Sequence, residues 1–136
     1  MEYIKWQQDK YTVNVRKFDE QHQKLVEIIN EVFDAKKNHA GKGVILNILT
    51  QLSDYTKNHF ADEIMVLREN NYPEVETQKN EHANFVIKVN NFIQEFHADN
   101  MSLNDEMLDF LKNWLINHIM QTDKKYATYL NERDIH

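Results

Sequence analysis

The sequence predicts an all-α protein, an up-down-up-down four-helix bundle preceded by an N-terminal arm. Three observations lead there. The 136 residues hold two glycines and one proline, too little turn punctuation for a many-stranded β protein. Four stretches repeat apolar residues at intervals of three and four, the spacing of one face of an α-helix. The segments between them are short, and a connection of a few residues sends the chain back antiparallel to the helix it has just left. With 41% hydrophobic residues the chain can build one core, so 1-136 reads as a single domain.

Residues 1 to about 18 lack a helical period and mix Tyr3, Trp6, Tyr11 and Phe18 with polar residues; an ordered arm packed across the body is expected. Asp19 is the expected N-cap of a first helix over about 19-37, whose apolar face carries His22, Leu25, Val26, Ile29, Val32 and Phe33. Both glycines fall within 38-43, which is expected to end that helix. A second helix over about 44-70 shows Ile45, Ile48, Leu49, Leu52, Tyr55, His59, Glu63, Val66 and Leu67 on one stripe. The turn Asn70-Asn71-Tyr72-Pro73 follows, and Pro73 suits the first turn of a third helix over about 74-98. Gln78, His82, Phe85, Val89, Phe92 and Phe96 share its inner side. Ser102, three residues before Asp105, looks like a capping pair for a fourth helix over about 103-131, with Met107, Leu111, Trp114, Leu115, His118, Thr122 and Tyr126 on its stripe.

The net charge of -6 argues against a nucleic-acid or anionic-membrane partner, and no run of Lys and Arg opposes that. No stretch approaches the roughly 20 apolar residues of a membrane span, so a cytoplasmic protein is expected, a monomer with an oligomer left open. Cysteine is absent, so a metal here would rest on nitrogen and oxygen ligands.

Four polar insertions interrupt the apolar stripes. Counted at about 1.5 Å per residue from the turns that join their helices, His22 is level with His59, Glu63 with Gln78 and His82, and His82 with His118. His118 and Asp123 are five positions apart, roughly 140° around an α-helix, close enough for both to lean into one cleft. Taken singly these residues mean little: a histidine on an apolar face is usually a core residue, and His59 with Glu63 is usually a surface pair. Four histidines and two acids at one depth are another matter, because unpartnered burial costs about a few kcal/mol each. Neutral imidazoles with acids able to bridge suit iron, manganese, zinc or copper, and two bridging acids favour a pair of metals. His39, His97 and His136, in a loop, at a helix end and at the terminus, stand outside this layer.

The motifs Phe18-Asp19-Glu20-Gln21-His22, His59-Phe60-Ala61-Asp62-Glu63, Tyr72-Pro73, His82-Ala83-Asn84-Phe85 and Trp114-Leu115-Ile116-Asn117-His118 through Asp123 resemble the hemerythrin family, in particular its single-domain bacterial members. The resemblance runs from Trp6 to about Leu130. It implies two iron ions with an oxo or hydroxo bridge that bind dioxygen or a similar small diatomic ligand reversibly, as a carrier, store or sensor. It also implies that His22 and His59 hold the iron with the vacant position, that His82 and His118 hold the other, and that Glu63 and Asp123 bridge the two. Ferritin-like Glu-x-x-His motifs are missing, since Thr56, Lys79 and Leu115 stand three residues before His59, His82 and His118. The His-Glu-x-x-His signature of zinc hydrolases is missing too.

One position departs from the family pattern of His-x3-His on the third helix: this chain has Gln78 before His82. A glutamine carbonyl is a weaker neutral ligand than imidazole. Gln78 or a water could complete the shell and change oxygen affinity. An open position would instead suit a di-iron enzyme such as an oxidase, peroxidase or nitric-oxide-handling protein, and a weakened site would hold one metal or none. Glu74, one turn earlier, is the other candidate for that position.

Overall fold

The computed structural model of the protein describes residues 3–98 and 105–136. The helices are α1 (Gln8–Tyr11), α2 (Arg16–Lys37), α3 (Lys42–Glu69), α4 (Val75–His97), α5 (Asp105–Asn117) and α6 (Lys124–Asn131). The last two are joined without a break by a π-helical turn, His118–Asp123, so that together they make the fourth rod of the bundle. No strand occurs among the described residues, and none of their helices is long and apolar enough to cross a membrane. α3 packs between α2 and α4, and α5 closes the bundle against α2. The expected Ser102 capping pair lies outside the described residues.

The arm packs as its aromatic content suggests. The Ile4 backbone exchanges two hydrogen bonds with the Asn30 side chain of α2, and Tyr3 donates to Asp109 of α5. Asp19 does not cap the first long helix, which starts three residues earlier with Val15 at its N-cap. It sits buried in the first turn, where it accepts bonds from the Val13 N–H (2.8 Å) and the Thr12 hydroxyl (2.5 Å) and so ties the arm to α2.

α2 ends at Lys37, where the 38–43 segment begins, though not through a glycine. His39 takes the left-handed conformation at φ 55°, the Ala40 N–H reaches back to the Ala35 carbonyl, and Gly41 becomes the extended N-cap of α3. Asn71, at φ 57°, closes α3 in the same way, with the Tyr72 N–H on the Leu67 carbonyl. One apolar cluster holds Leu25, Ile29, Leu52, Phe60, Phe85 and Ile119; another holds Val13, Phe18, Leu67, Tyr126 and Leu130. The polar layer lies between them, with Phe60 of the first and Phe18 of the second both facing the His59 ring.

The π turn is what the sequence reading lacked. Its hydrogen bonds close five residues back rather than four, so residues five apart return to nearly the same side of the axis. His118 and Asp123 therefore face the same interior instead of standing about 140° apart, and His118 Nε2 lies 3.0 Å from Asp123 Oδ1.

Candidate metal centre

Each long rod contributes to one buried layer: His22 from α2, His59 and Glu63 from α3, Gln78 and His82 from α4, His118 and Asp123 from the π turn. All seven are buried, none more than 4% exposed. His39, His97 and His136 are exposed and take no part. Glu74 is exposed too, accepting a bond from the Tyr72 hydroxyl at 3.3 Å, so it is not the side chain that fills the place beside His82.

The ligating atoms form two groups in which all members lie within 4.8 Å of one another: His22, His59 and Glu63; and Glu63, His82, His118 and Asp123. Glu63 belongs to both. Its Oε1 lies 3.1 Å from His59 Nε2 and 3.4 Å from His82 Nε2. Asp123 also spans them, with Oδ1 on His118 Nε2 at 3.0 Å and Oδ2 on His22 Nε2 at 3.2 Å.

These approaches are close, yet for His22, His82 and His118 they lack hydrogen-bond geometry, and the Nε2 atoms have no partner. Nor have Glu63 Oε1, Asp123 Oδ2 and Gln78 Oε1. Among the described residues, every buried side-chain nitrogen or oxygen without a hydrogen bond belongs to this layer. Such atoms each cost free energy in a dry interior, and their concentration at one point is the pattern expected where a cation completes the set. The donors are nitrogen and oxygen with two shareable carboxylates, which fits a pair of transition metals.

The residues around the layer fix its members. Gln21 Oε1 meets His59 Nδ1 at 2.5 Å while its amide nitrogen donates to Asp62 at 2.9 Å. Glu81 Oε1 meets His118 Nδ1 at 2.9 Å and is itself held by the Thr122 hydroxyl. An acceptor on Nδ1 keeps the proton there and leaves the Nε2 lone pair for the interior. The Tyr126 hydroxyl donates to Glu63 Oε2. Sequence reasoning passed over these three roles. A signal was present for two of them, because Gln21 and Glu81 each stand immediately before a core-facing histidine and each serves a histidine on the next helix.

The electrostatics are those of a charge-balanced cluster. Burial alone would push His22 down, but Asp123 and Glu63 hold it up at about 9. Burial likewise opposes a charged His118, and Asp123 and Glu81 bring it up to about 10. His59 goes the other way, lowered by burial that outweighs Glu63. Burial also works against the Glu63 carboxylate, yet His59 and His22 keep it well below the usual range. Asp123, opposed by burial and by Glu63, is lowered by His118 and His22.

The family model for the hemerythrin HHE cation binding domain matches residues 13–130. The chain belongs to the hemerythrin family. It is 34% identical over 122 residues to a bacteriohemerythrin of Clostridium acetobutylicum, covering 87% of this chain and 95% of that one. A bacteriohemerythrin of Pseudomonas aeruginosa is 34% identical over 93% of this chain and 81% of its own length. A myohemerythrin of Riftia pachyptila is 28% identical over 87% of each. In structure the chain is similar to a wild-type hemerythrin crystal structure with a TM-score of 0.86, 27% identity and coverage of 93% and 96%. Hemerythrin family proteins bind a di-iron centre, and the donor set of this hemerythrin, with its shared carboxylates and unpartnered Nε2 atoms, fits one.

Proposed function

We propose that this hemerythrin-like domain, spanning 1-136, binds dioxygen reversibly at a di-iron centre, as a carrier, store or sensor. His22 and His59 would hold one iron, His82 and His118 the other, and Glu63 and Asp123 would bridge them. The observation that carries this reading is that each carboxylate approaches histidines of both groups. When bound, a ferrous pair supplies two electrons that dioxygen can draw on and return.

The chain's own residues supply the rest. Phe18, Phe60, Phe85, Leu115 and Ile119 are buried around or beside the layer and exclude water. Gln21 and Glu81 hold the Nδ1 sides of His59 and His118, and Tyr126 orients the Glu63 oxygen that it bonds.

Gln78 would act as a neutral oxygen ligand or hold a water in place of the absent imidazole. Its Nε2 lies 3.2 Å from Asp123 Oδ1 and 3.4 Å from the Thr122 carbonyl, two acceptors that require the NH2 end to face them. That leaves Oε1 buried and without a hydrogen-bond partner. The same free oxygen supports the second reading, an enzyme that turns over dioxygen, peroxide or nitric oxide at a position Gln78 leaves open.

Anaerobic loading with ferrous iron tests both. About two irons per chain and a visible charge-transfer band that appears with oxygen and disappears on its removal are expected; irreversible bleaching on first exposure would refute oxygen binding. Steady consumption of a substrate with added reductant, lost in His59→Ala, would favour the enzyme. Gln78→His should slow autoxidation if Gln78 governs the modified shell, and an unchanged rate would remove that role.

A further inference from the structure

No run of basic residues exists in the sequence, but folding assembles one. A groove of about 470 Å³ between α3 and α4 is lined by Lys57, Arg68 and Lys79, with no acid in its lining. In a chain of net charge -6, three cations gathered around an uncharged floor form a local field opposite in sign to the whole. Among the described residues neither Lys57 nor Arg68 has an ion-pair partner, and Lys79 has only Glu76 of its own helix at 3.8 Å, an exposed pair. The floor is apolar and low. Ala61 of α3 and Ala83 of α4 carry no bulk, and Ile64 and Val86 flank them.

Two features connect this groove to the polar layer. His82 lines both, and the Phe60 ring lies against it at 3.8 Å between centroids and 3° between planes. Phe60 in turn touches the rings of His59 at 5.6 Å and His118 at 6.3 Å. Whatever occupies the groove stands against His82 and one aromatic ring from His59 and His118.

We propose that this groove binds a flat organic phosphate, its ring on the Ala61, Ile64, Ala83 and Val86 floor and its phosphate at the end nearer the α3–α4 turn, with Arg68 and Lys79, while Lys57 stands at the other end of the floor. The size suits a small molecule, since ligand pockets of roughly 300–1,000 Å³ are the common range. The lining selects the chemistry: small side chains accept a planar ring, and a guanidinium beside an ammonium group holds a phosphate by charge and by a fork of donors. A nucleic acid would need a continuous basic track, which the remaining acidic surface denies.

The test uses the iron-loaded protein and flavin mononucleotide as the probe, with riboflavin and inorganic phosphate beside it. Riboflavin keeps the ring and lacks the phosphate; inorganic phosphate does the reverse. Saturable one-site quenching of the flavin is expected, with the mononucleotide bound about tenfold or more tighter than riboflavin and a shift of the visible band at saturation, transmitted through Phe60 and His82. Arg68→Glu with Lys79→Glu should weaken the mononucleotide by about tenfold or more, leaving riboflavin binding and iron content unchanged, while Lys10→Glu on α1 changes nothing. Equal binding of mononucleotide and riboflavin would overturn the proposal, as would indifference to the charge reversals or no saturation by about 1 mM. Inorganic phosphate competing as well as the whole molecule would show that the ring has no part and would overturn it too. Iron content, measured on the same samples, separates failure of this proposal from failure of the di-iron reading.

Discussion

Loading the centre with metal should release protons, and the structure says how many and over what range. In the metal-free protein His22 titrates at about 9 and His118 at about 10, so at pH 7 each is about 99% or more protonated. Their two positive charges balance the carboxylates of Glu63 and Asp123, both held ionised by their histidine neighbours. A metal needs the Nε2 lone pairs, so both protons must leave. His59, lowered by burial, adds none of consequence at that pH. Two protons displaced per metal pair make the apparent affinity rise about a hundredfold per pH unit up to pH about 9, then about tenfold up to about 10. A bridging hydroxide formed from water would add one more. Anaerobic calorimetric titration with ferrous iron in buffers of different ionisation enthalpy counts these protons directly. A release of less than about one proton per pair at pH 7, or an affinity unchanged between pH 7 and 8, would refute the charge-balanced cluster.

The same groups set the stability of the metal-free protein. Raised imidazoles stabilise fully below their unfolded value of about 6.5 and lose that contribution as pH rises through about 9 and 10; lowered carboxylates lose theirs as pH falls below about 4, and the lowered His59 also disfavours acid, so melting should peak near pH 6.5. A Tm that climbs steadily from pH 6.5 to 9 would contradict this sign. Gln21→Ala and Glu81→Ala should each weaken metal binding about 10- to 100-fold, the first on the His59 side and the second on the His118 side, as read by metal-by-metal dissociation with a chelator. Tyr126→Phe leaves Glu63 Oε2 without its phenol donor and should cost the metal-free protein about 1–3 kcal/mol in urea unfolding, with a smaller cost once metal is bound.

The four rods were legible because each buries a stripe at intervals of three and four, and burial is what such a period encodes. Their ends were less so. α2 and α3 start at Val15 and Gly41, which offer no side-chain cap, and they stop at His39 and Asn71, residues that enter the left-handed region without being glycine. The choice there is made by the 6→1 hydrogen bond and the packing beyond it, which no local residue preference announces. The polar layer was readable from depth alone, since short turns fix how far along each rod a side chain sits. Its outer supports were not, because Gln21, Glu81 and Tyr126 differ from ordinary helix residues only in what stands opposite them. The π turn left no trace. Buried positions run 111, 115, 118, 119, 123, 126, 127 and 130, steps that an unbroken α-helix also gives, so the period alone does not announce it and Thr122 could be read on the stripe.

The extra residue of the π turn ties together the two unusual features of the His118 side. By advancing the register by one, the π turn brings Asp123 inward, where it meets His118, His22 and the Gln78 amide. It also leaves Thr122 at the edge, where its hydroxyl lies 2.8 Å and 3.0 Å from the two Glu81 oxygens. Glu81 so fixed meets His118 Nδ1, whereas His59 in the other half meets only the neutral amide of Gln21. In the proposed centre, then, the iron that has Gln78 in place of an imidazole is also the one whose histidine is backed by an anion. A carboxylate on Nδ1 strengthens the Nε2 donor, so Glu81 offsets part of the donor strength forgone at position 78. An α-helical fourth rod would turn Asp123 away from His118 and pull Thr122 off Glu81 together, which makes the π turn, rather than any single ligand, the feature on which this half of the centre depends.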